Sequence, residues 1–349
     1  MGGARASTPA ARPPQHGGMP PPTQAPHPHD AEARHARLEP LLRTRLATRL
    51  PGLAATQRKY HLLLAGLVVA SVLLLPLGIW LDVVWLIMLG AMAGMAALLA
   101  LRHGAGTFHD EVRSALTPLV CEAIGGIRHS VGTAQPVLQR LERVPLVRPF
   151  AHTTIDDVFT GEHDGTGFVM AEVRLFNRTT RTTGSGTKRT TTTTEKTVFK
   201  GLVFLIETPR PLQARIVLRG PAGWFGPPWR HRDKALAAQG YTRVEVPDAA
   251  FARHLSLWTD EPEAALRVVG PGLATTLARL AETAGRKRID AAFVASRFVL
   301  LLPKGGNAFA TGGLFRSLAR LAPDAHALLD EIMVVHRLID LLTQPPPAA

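Results

Sequence analysis

Residues His61 to Leu101 read HLLLAGLVVASVLLLPLGIWLDVVWLIMLGAMAGMAALLAL, and Asp82 is the one acidic or basic side chain in the stretch apart from His61. At about 1.5 Å per residue, a single helix over this length would reach about 60 Å, twice a bilayer's hydrocarbon core of about 30 Å. Each half alone is long enough to cross. The chain is therefore expected to turn between Pro76 and Asp82. Pro76 weakens the helical ladder, Gly78 is permissive and Asp82 seeks water. Trp80 and Trp85 flank the bend and suit the headgroup level. The competing reading is a helical hairpin buried in a soluble core, and the charged flanks and aromatic-edged bend disfavour it.

Charge sets the expected orientation. Arg43, Arg45, Arg49, Arg58 and Lys59 precede the first helix, Arg102 and Arg113 follow the second, and the bend carries no basic residue. Arg58, Lys59 and Arg102 flank the membrane most closely. The excess of Lys and Arg on cytoplasmic flanks implies an inner-membrane, multi-pass protein with both termini in the cytoplasm. Gly90 and Gly94 make a GxxxG step, and Gly66 and Ala70 a similar one. Such steps serve either a homodimer or the contact between the two helices of one hairpin.

The net charge of +13 invites a nucleic-acid partner, but aromatic residues are only 6% of the chain, so base-stacking platforms are scarce. Much of the charge lies beside the hairpin, where anionic lipid headgroups are the nearer partner. Cys121 is the single cysteine, which excludes an intramolecular disulfide and a multi-cysteine zinc site.

Outward from the hairpin, composition divides the chain. Residues 1–36 are a Pro-, Gly- and His-rich tail expected to be disordered; His27 and His29 stand there without an acid or thiol cluster. Residues 37–59 form a basic amphipathic segment. Leu38, Leu42, Leu46 and Leu50 repeat every four residues, and Pro51-Gly52 is expected to end the helix. That apolar stripe suits either the membrane surface or the folded domain. The hairpin occupies 60–102, a cytoplasmic domain 103–343, and a second disordered tail 344–349.

Within the domain, Phe108 to Ile127 has a helical stripe that continues the second membrane helix as a stalk or leads into the domain, and Pro136 to Arg143 suggests a further helix. The period then changes. Phe168 to Phe176, Val198 to Glu207 and Leu212 to Leu218 read as strands. Residues 177–196 between the first two are expected to be a flexible, basic, Thr-rich loop. Gly220 to Arg232 reads as an aromatic loop carrying Trp224, Phe225 and Trp229. Short strands at Arg243 to Val246 and Leu255 to Trp258 alternate with helices at Asp248 to His254, Glu263 to Val268 and Leu273 to Ala284. A hairpin over Ala291 to Leu302 follows, then a helix capped by Asp324 with Leu328, Ile332, Val335 and Ile339 inward. The expected fold is α+β: an N-terminal two-helix transmembrane hairpin, then a cytoplasmic domain with a mainly antiparallel sheet and flanking helices.

Four features carry a family resemblance: the N-terminal hairpin; Gly161-Glu162-His163-Asp164-Gly165 leading into a strand with Glu172; Phe199-Lys200-Gly201-Leu202; and Phe251 with Leu255, followed by Asp260-Glu261-Pro262-Glu263-Ala264. In that order, over about residues 60 to 320, the chain resembles the bacterial membrane-anchored domain-of-unknown-function family number 3137. Where the family pattern continues with arginine, this chain has Ala265. The family has no assigned activity, so the resemblance implies an architecture and no chemistry.

No nucleotide-binding glycine loop, GxSxG elbow or HExxH zinc helix occurs in the chain. The best polar constellation is Glu162, His163 and Asp164, with Asp156, Asp157 and Glu172 nearby. Acid and imidazole together can hold a metal or share a proton, but neighbours on a turn point apart, and glycines mark this one as a turn before a strand. Gly201 reads as a bulge or a close backbone approach, and Arg286-Lys287-Arg288 as a basic cluster near a helix end. No catalytic residue, cofactor or metal is therefore assigned. The expected function is a non-catalytic binding or scaffolding module with an unidentified protein partner. The alternatives are a membrane-associated hydrolase using the acidic/His cluster around 156–172, and a membrane-tethered nucleic-acid binder using the Thr/Arg loop.

Overall fold

The computed structural model describes residues 28–132, 146–183, 189–208, 212, 214–220, 229–284, 288–305, 309 and 312–343. The expected tail before residue 28, the helix over Pro136 to Arg143, Trp224 and Phe225, and the tail after 343 lie outside these residues.

Helix α1 (Pro28–Leu41) passes through a π-helical turn (Leu42–Leu46) into α2 (Ala47–Trp80), and α3 (Val84–Ile124) returns antiparallel to it. Strands β1 (Ile127–Val131), β2 (His152–His163), β3 (Thr166–Thr183), β4 (Thr190–Glu207) and β5 (Ile216–Arg219) follow. Then come α4 (Trp229–Ala238), β6 (Thr242–Val244), α5 (Ala249–His254), β7 (Ser256–Thr259), α6 (Pro262–Val268), α7 (Pro271–Ala284), β8 (Asp290–Val294), β9 (Arg297–Pro303) and α8 (Leu321–Thr343). The strands make one sheet in the order β1-β2-β3-β4-β9-β8-β5-β7-β6, antiparallel at every pairing. The α+β class read from the sequence is borne out.

The hairpin turns at the far end of the expected stretch. The helix runs through Pro76 and Gly78 to Trp80, and residues 81–83 make the bend, with Asp82 in the left-handed region at φ 53°. Proline inside an apolar helix removes one donor, and neighbouring groups absorb the loss. Gly78 is needed for contact: a β-carbon there would fall 2.8 Å from Ile87. Gly90 and Gly94 face α2 of the same chain, where added β-carbons would meet Leu75 and Ser71 at 2.8 and 2.9 Å. Of the two uses open to that step, this is the contact between the two helices of one hairpin.

The helices are also longer than the two short spans expected. At about 1.5 Å per residue, α2 is about 50 Å and α3 about 60 Å long, well beyond a bilayer of about 30 Å. Both are long and apolar enough to cross a membrane, and only 11% of each apolar window is buried. Leu62, Val72, Leu73, Trp80, Trp85, Met92 and Leu99 are each more than 60% exposed. The hairpin is therefore not buried in a core of this chain. Beyond Leu101, α3 continues without a break, and Phe108, Val112, Leu116, Val120 and Ile124 enter the domain core.

Leu38, Leu42 and Leu46 of the leucine stripe are buried in that same core with Leu53, and Leu50 packs partly buried against it, so the stripe packs on the domain. This packing explains two departures from the sequence reading: α1 begins at Pro28, inside the expected disordered tail, and the helix continues through Pro51-Gly52. An interior proline costs about 3 kcal/mol, while each buried leucine contributes about 1.5–3 kcal/mol, so four of them outweigh it. On the sheet's helical face, Phe159, Phe168, Met170, Leu202, Phe204 and Leu300 meet α3, α7 and α8. The opposite face buries Val173, Leu205, Val217 and Trp258 with Leu236 of α4.

Residues 177–183 and 190–196 are not a loop. Asn177 pairs with Lys196, Arg178 with Glu195, and so on out to Thr183 with Thr190, extending β3 and β4 past the rest of the sheet as a two-stranded ribbon. Threonine is β-branched and favours the extended backbone, and Thr180–Thr193 and Thr182–Thr191 meet as cross-strand pairs at 3.4 Å. Trp229, placed in a loop by the sequence reading, begins α4.

Candidate functional site

The tightest cluster of metal-ligating side chains among the described residues lies where the β2–β3 turn meets the last helix. Thr166 opposite His163 closes the strand pair, and Asp164 (φ 47°) and Gly165 (φ 72°) make the two-residue turn between them. His336 and Asp340, four apart on α8, share one helix face. His163 fits against both. Its Nε2 lies 2.8 Å from Asp340 Oδ1, and its ring stacks on His336 with centroids 4.1 Å apart and planes 12° from parallel. Phe168 meets His336 edge-on at 5.7 Å.

Asp164 Oδ2 lies 3.9 Å from His163 Nε2, and ligand atoms of His163, Asp164 and Asp340 all fall within 4.8 Å of one another. One imidazole and two carboxylates are a donor set a divalent metal accepts. The shortest contact, however, is already a hydrogen bond between the turn and α8. His336 is 3% exposed and neither ring nitrogen has a hydrogen-bond partner among the described residues. Burial first, then the charges of His163 and Arg34, push its pKa down to about 3, so it is a neutral ring packed under His163.

The remaining residues singled out from the sequence do not join this cluster. Glu162 alternates to the other side of β2, is exposed, and lines a cleft of about 710 Å³ at the strand ends with Arg128, Glu207 and Arg297. Glu172 is buried further along β3, six residues beyond Thr166, or about 20 Å. The expected grouping of Glu162, His163, Asp164 and Glu172 is thus corrected to His163 and Asp164 with Asp340. Arg288 pairs with Asp290, while Arg286 and Lys287 lie outside the described residues.

A second polar group sits where α3 enters the domain. Asp157 on β2 is 1% exposed and accepts from His129 of β1 at 2.7 Å and from Arg113 of α3 at 3.4 Å. Arg113 also binds Asp110 at 2.9 Å. Arg58, Lys59 and Arg102, expected at the membrane flank, are exposed near one level of the hairpin, where Tyr60 packs on Gly104. Sequence reasoning named neither Asp340 nor His336, and passed over His129. The i,i+4 His–Asp spacing on α8 was the one available signal.

Fold and site together define an α+β domain carried on an apolar helical hairpin. Residues 197–344, from within β4 to the end of α8, match the family model described as Protein of unknown function (DUF3137). The hairpin and β1 to β3 precede the matched range. The crystal structure of the mycobacterial trehalose monomycolate transport factor A aligns at 10% sequence identity over 68% of this chain and 96% of that one, with a TM-score of 0.34. No curated protein matches the chain.

Proposed function

We propose that the protein is a multi-pass inner-membrane protein, with both termini cytoplasmic, whose α+β domain is a non-catalytic binding or scaffolding module for a protein partner. The observation that carries this reading is the unbroken course of α3. Its first half exposes Trp85, Met92 and Leu99, and its second half is the spine of the domain core. An element that is at once anchor and core holds the domain at a fixed height and rotation above the bilayer. That arrangement suits presentation of a surface. Anionic headgroups complement Arg58, Lys59 and Arg102.

The test has two parts. Carbonate washing of membranes should leave the full chain in the pellet, and a reporter fused after Ala349 should be active only in the cytoplasm. A detergent pull-down with the hairpin intact should then retain a defined protein absent from a surface-scrambled control. Extraction by carbonate would sink the anchor; an empty pull-down would sink the scaffold.

One observation favours a nucleic-acid reading. On the ribbon, Arg181 and Lys196 lie on the face opposite Glu195, giving a cationic strip. Salt-dependent DNA retention lost on shortening the ribbon would support it.

A further inference from the structure

We infer that the loop Gly313–Ser317 is a second membrane contact, with Phe315 entering the interface and Arg316 and Arg320 meeting anionic lipid headgroups. The inference rests on the membrane reading above and adds a depth and an orientation for the domain.

Two side chains of α2, one turn apart, clamp the loop. Gln57 Nε2 donates to the carbonyls of Leu314 at 2.8 Å and of Arg316 at 2.9 Å. His61 Nε2 lies 2.8 Å from the Leu314 carbonyl. Leu314 is buried and Arg316 N–H bonds back to Gly313, so the turn has a fixed shape. The clamp leaves Phe315 pointing outward. It is 68% exposed and stacks on the His61 ring, centroids 5.3 Å apart and planes 11° from parallel.

The position decides what covers it. His61 opens the apolar stretch, and Leu62 and Leu63 beside it are 63% and 45% exposed. Phe315 is therefore level with the first lipid-facing turn of α2, although it lies more than 250 residues away in sequence. Arg58 and Lys59 are exposed one turn earlier, and Arg316 and Arg320 are exposed on the loop side. An aromatic tip at the level where hydrocarbon begins, ringed by cations, fits a bilayer boundary with anionic headgroups. A soluble partner would have to approach within a few ångströms of the acyl region to reach the same side chain.

The test uses the full chain reconstituted in vesicles of zwitterionic lipid, with or without an anionic phospholipid. A nitroxide is placed on Phe315→Cys, on Leu73→Cys and on Thr179→Cys; native Cys121 is buried, and an unsubstituted sample controls for it. Oxygen and a water-soluble nickel chelate compete as relaxing agents. The label at 315 should be several-fold more accessible to oxygen, relative to nickel, than the label at 179. It should lie shallower than the label at 73. Arg316→Gln with Arg320→Gln should abolish any deepening caused by anionic lipid. In Phe315→Asp, which changes only an exposed side chain, a label at Ser317 should move toward water. If 315 is as wet as 179 while 73 remains in lipid, the loop contact is wrong and the anchor stands. If 73 is also wet, the membrane reading has failed instead. Spin–spin broadening at 315 would assign the loop to a second copy of the chain and overturn the lipid contact.

Discussion

Arg113 of α3 and Asp157 of β2 meet at 3.4 Å, Nη1 to Oδ1, at the point where the hairpin enters the domain. Asp157 is 1% exposed, and its second oxygen has no hydrogen-bond partner among the described residues. Its charge therefore rests on Arg113 and His129. Removing one partner of a buried pair costs about 3–5 kcal/mol because the other charge stays in a poor solvent. Arg113→Met should lower the stability of the domain by about 3 kcal/mol in denaturant titrations in detergent. The double variant with Asp157→Asn should lose less than the sum of the singles. Additive losses would mean that the two groups do not support one another.

At Gly201 the backbone of β4 runs close against that of β9. A β-carbon there would stand 2.2 Å from the Leu302 carbonyl oxygen and 2.6 Å from the Pro303 α-carbon, both backbone atoms. Gly201→Ala must push the central strand pair apart, and overpacking of this kind costs about 1–3 kcal/mol or more. The loss should appear as a lower unfolding midpoint. Ala substitution at Gly52, which has open space around it, should cost far less. Equal stability of the Gly201 variant and the parent would remove the close approach as its reason for being glycine.

Gly201 is also a measure of what the sequence discloses. A glycine inside a β-branched run signals a bulge or a neighbour's backbone, and β4 against β9 supplies that neighbour. The hairpin was legible for a similar reason: hydropathy is local, and nothing distant can reverse it. Strands β1 and β2 were not legible. Glu162-His163-Asp164 read as a turn, but the residues leading into it, IDDVFT from 155 to 160, did not read as a strand, because Asp157 becomes a core residue only through Arg113 and His129, which lie 44 and 28 positions away. Asp340 was missed likewise, since it meets His163 across 177 residues. The Thr-rich ribbon failed through the opposite error: composition suggested a loop while each threonine favoured a strand.

The leucine stripe before the membrane separates two physical pictures. Leu46 is 5% exposed and packed in the domain core, so Leu46→Ala should lose about 2–5 kcal/mol of domain stability. Leu73 is 62% exposed on the apolar helix, and Leu73→Ala should leave domain unfolding unchanged. Both variants are read by thermal unfolding in one detergent. If Leu46→Ala alters vesicle binding but not unfolding, the stripe belongs to the membrane surface after all.

Asp290 gives a pH dependence whose sign opposes ordinary acid denaturation. It is 6% exposed at the start of β8, with Arg288 Nε 2.8 Å from one oxygen and, among the described residues, no hydrogen-bond partner for the other. Burial raises its pKa to about 6 from 3.8, against the pull of Arg288 and Arg219. The native state thus holds this proton more tightly than the unfolded chain does. The contribution of the group to stability is whole below about pH 4, declines between roughly pH 4 and 6, and is lost above that. At about 1.4 kcal/mol per pH unit, the swing is on the order of 3 kcal/mol. Asp290→Asn cannot ionise, so the parent should gain on the variant by up to about that amount as pH falls from 7.5 to 4.5. Denaturant titrations of both proteins across that range measure it. A difference that stays flat, or runs the other way, would mean that the two arginines outweigh burial and hold the carboxylate charged throughout.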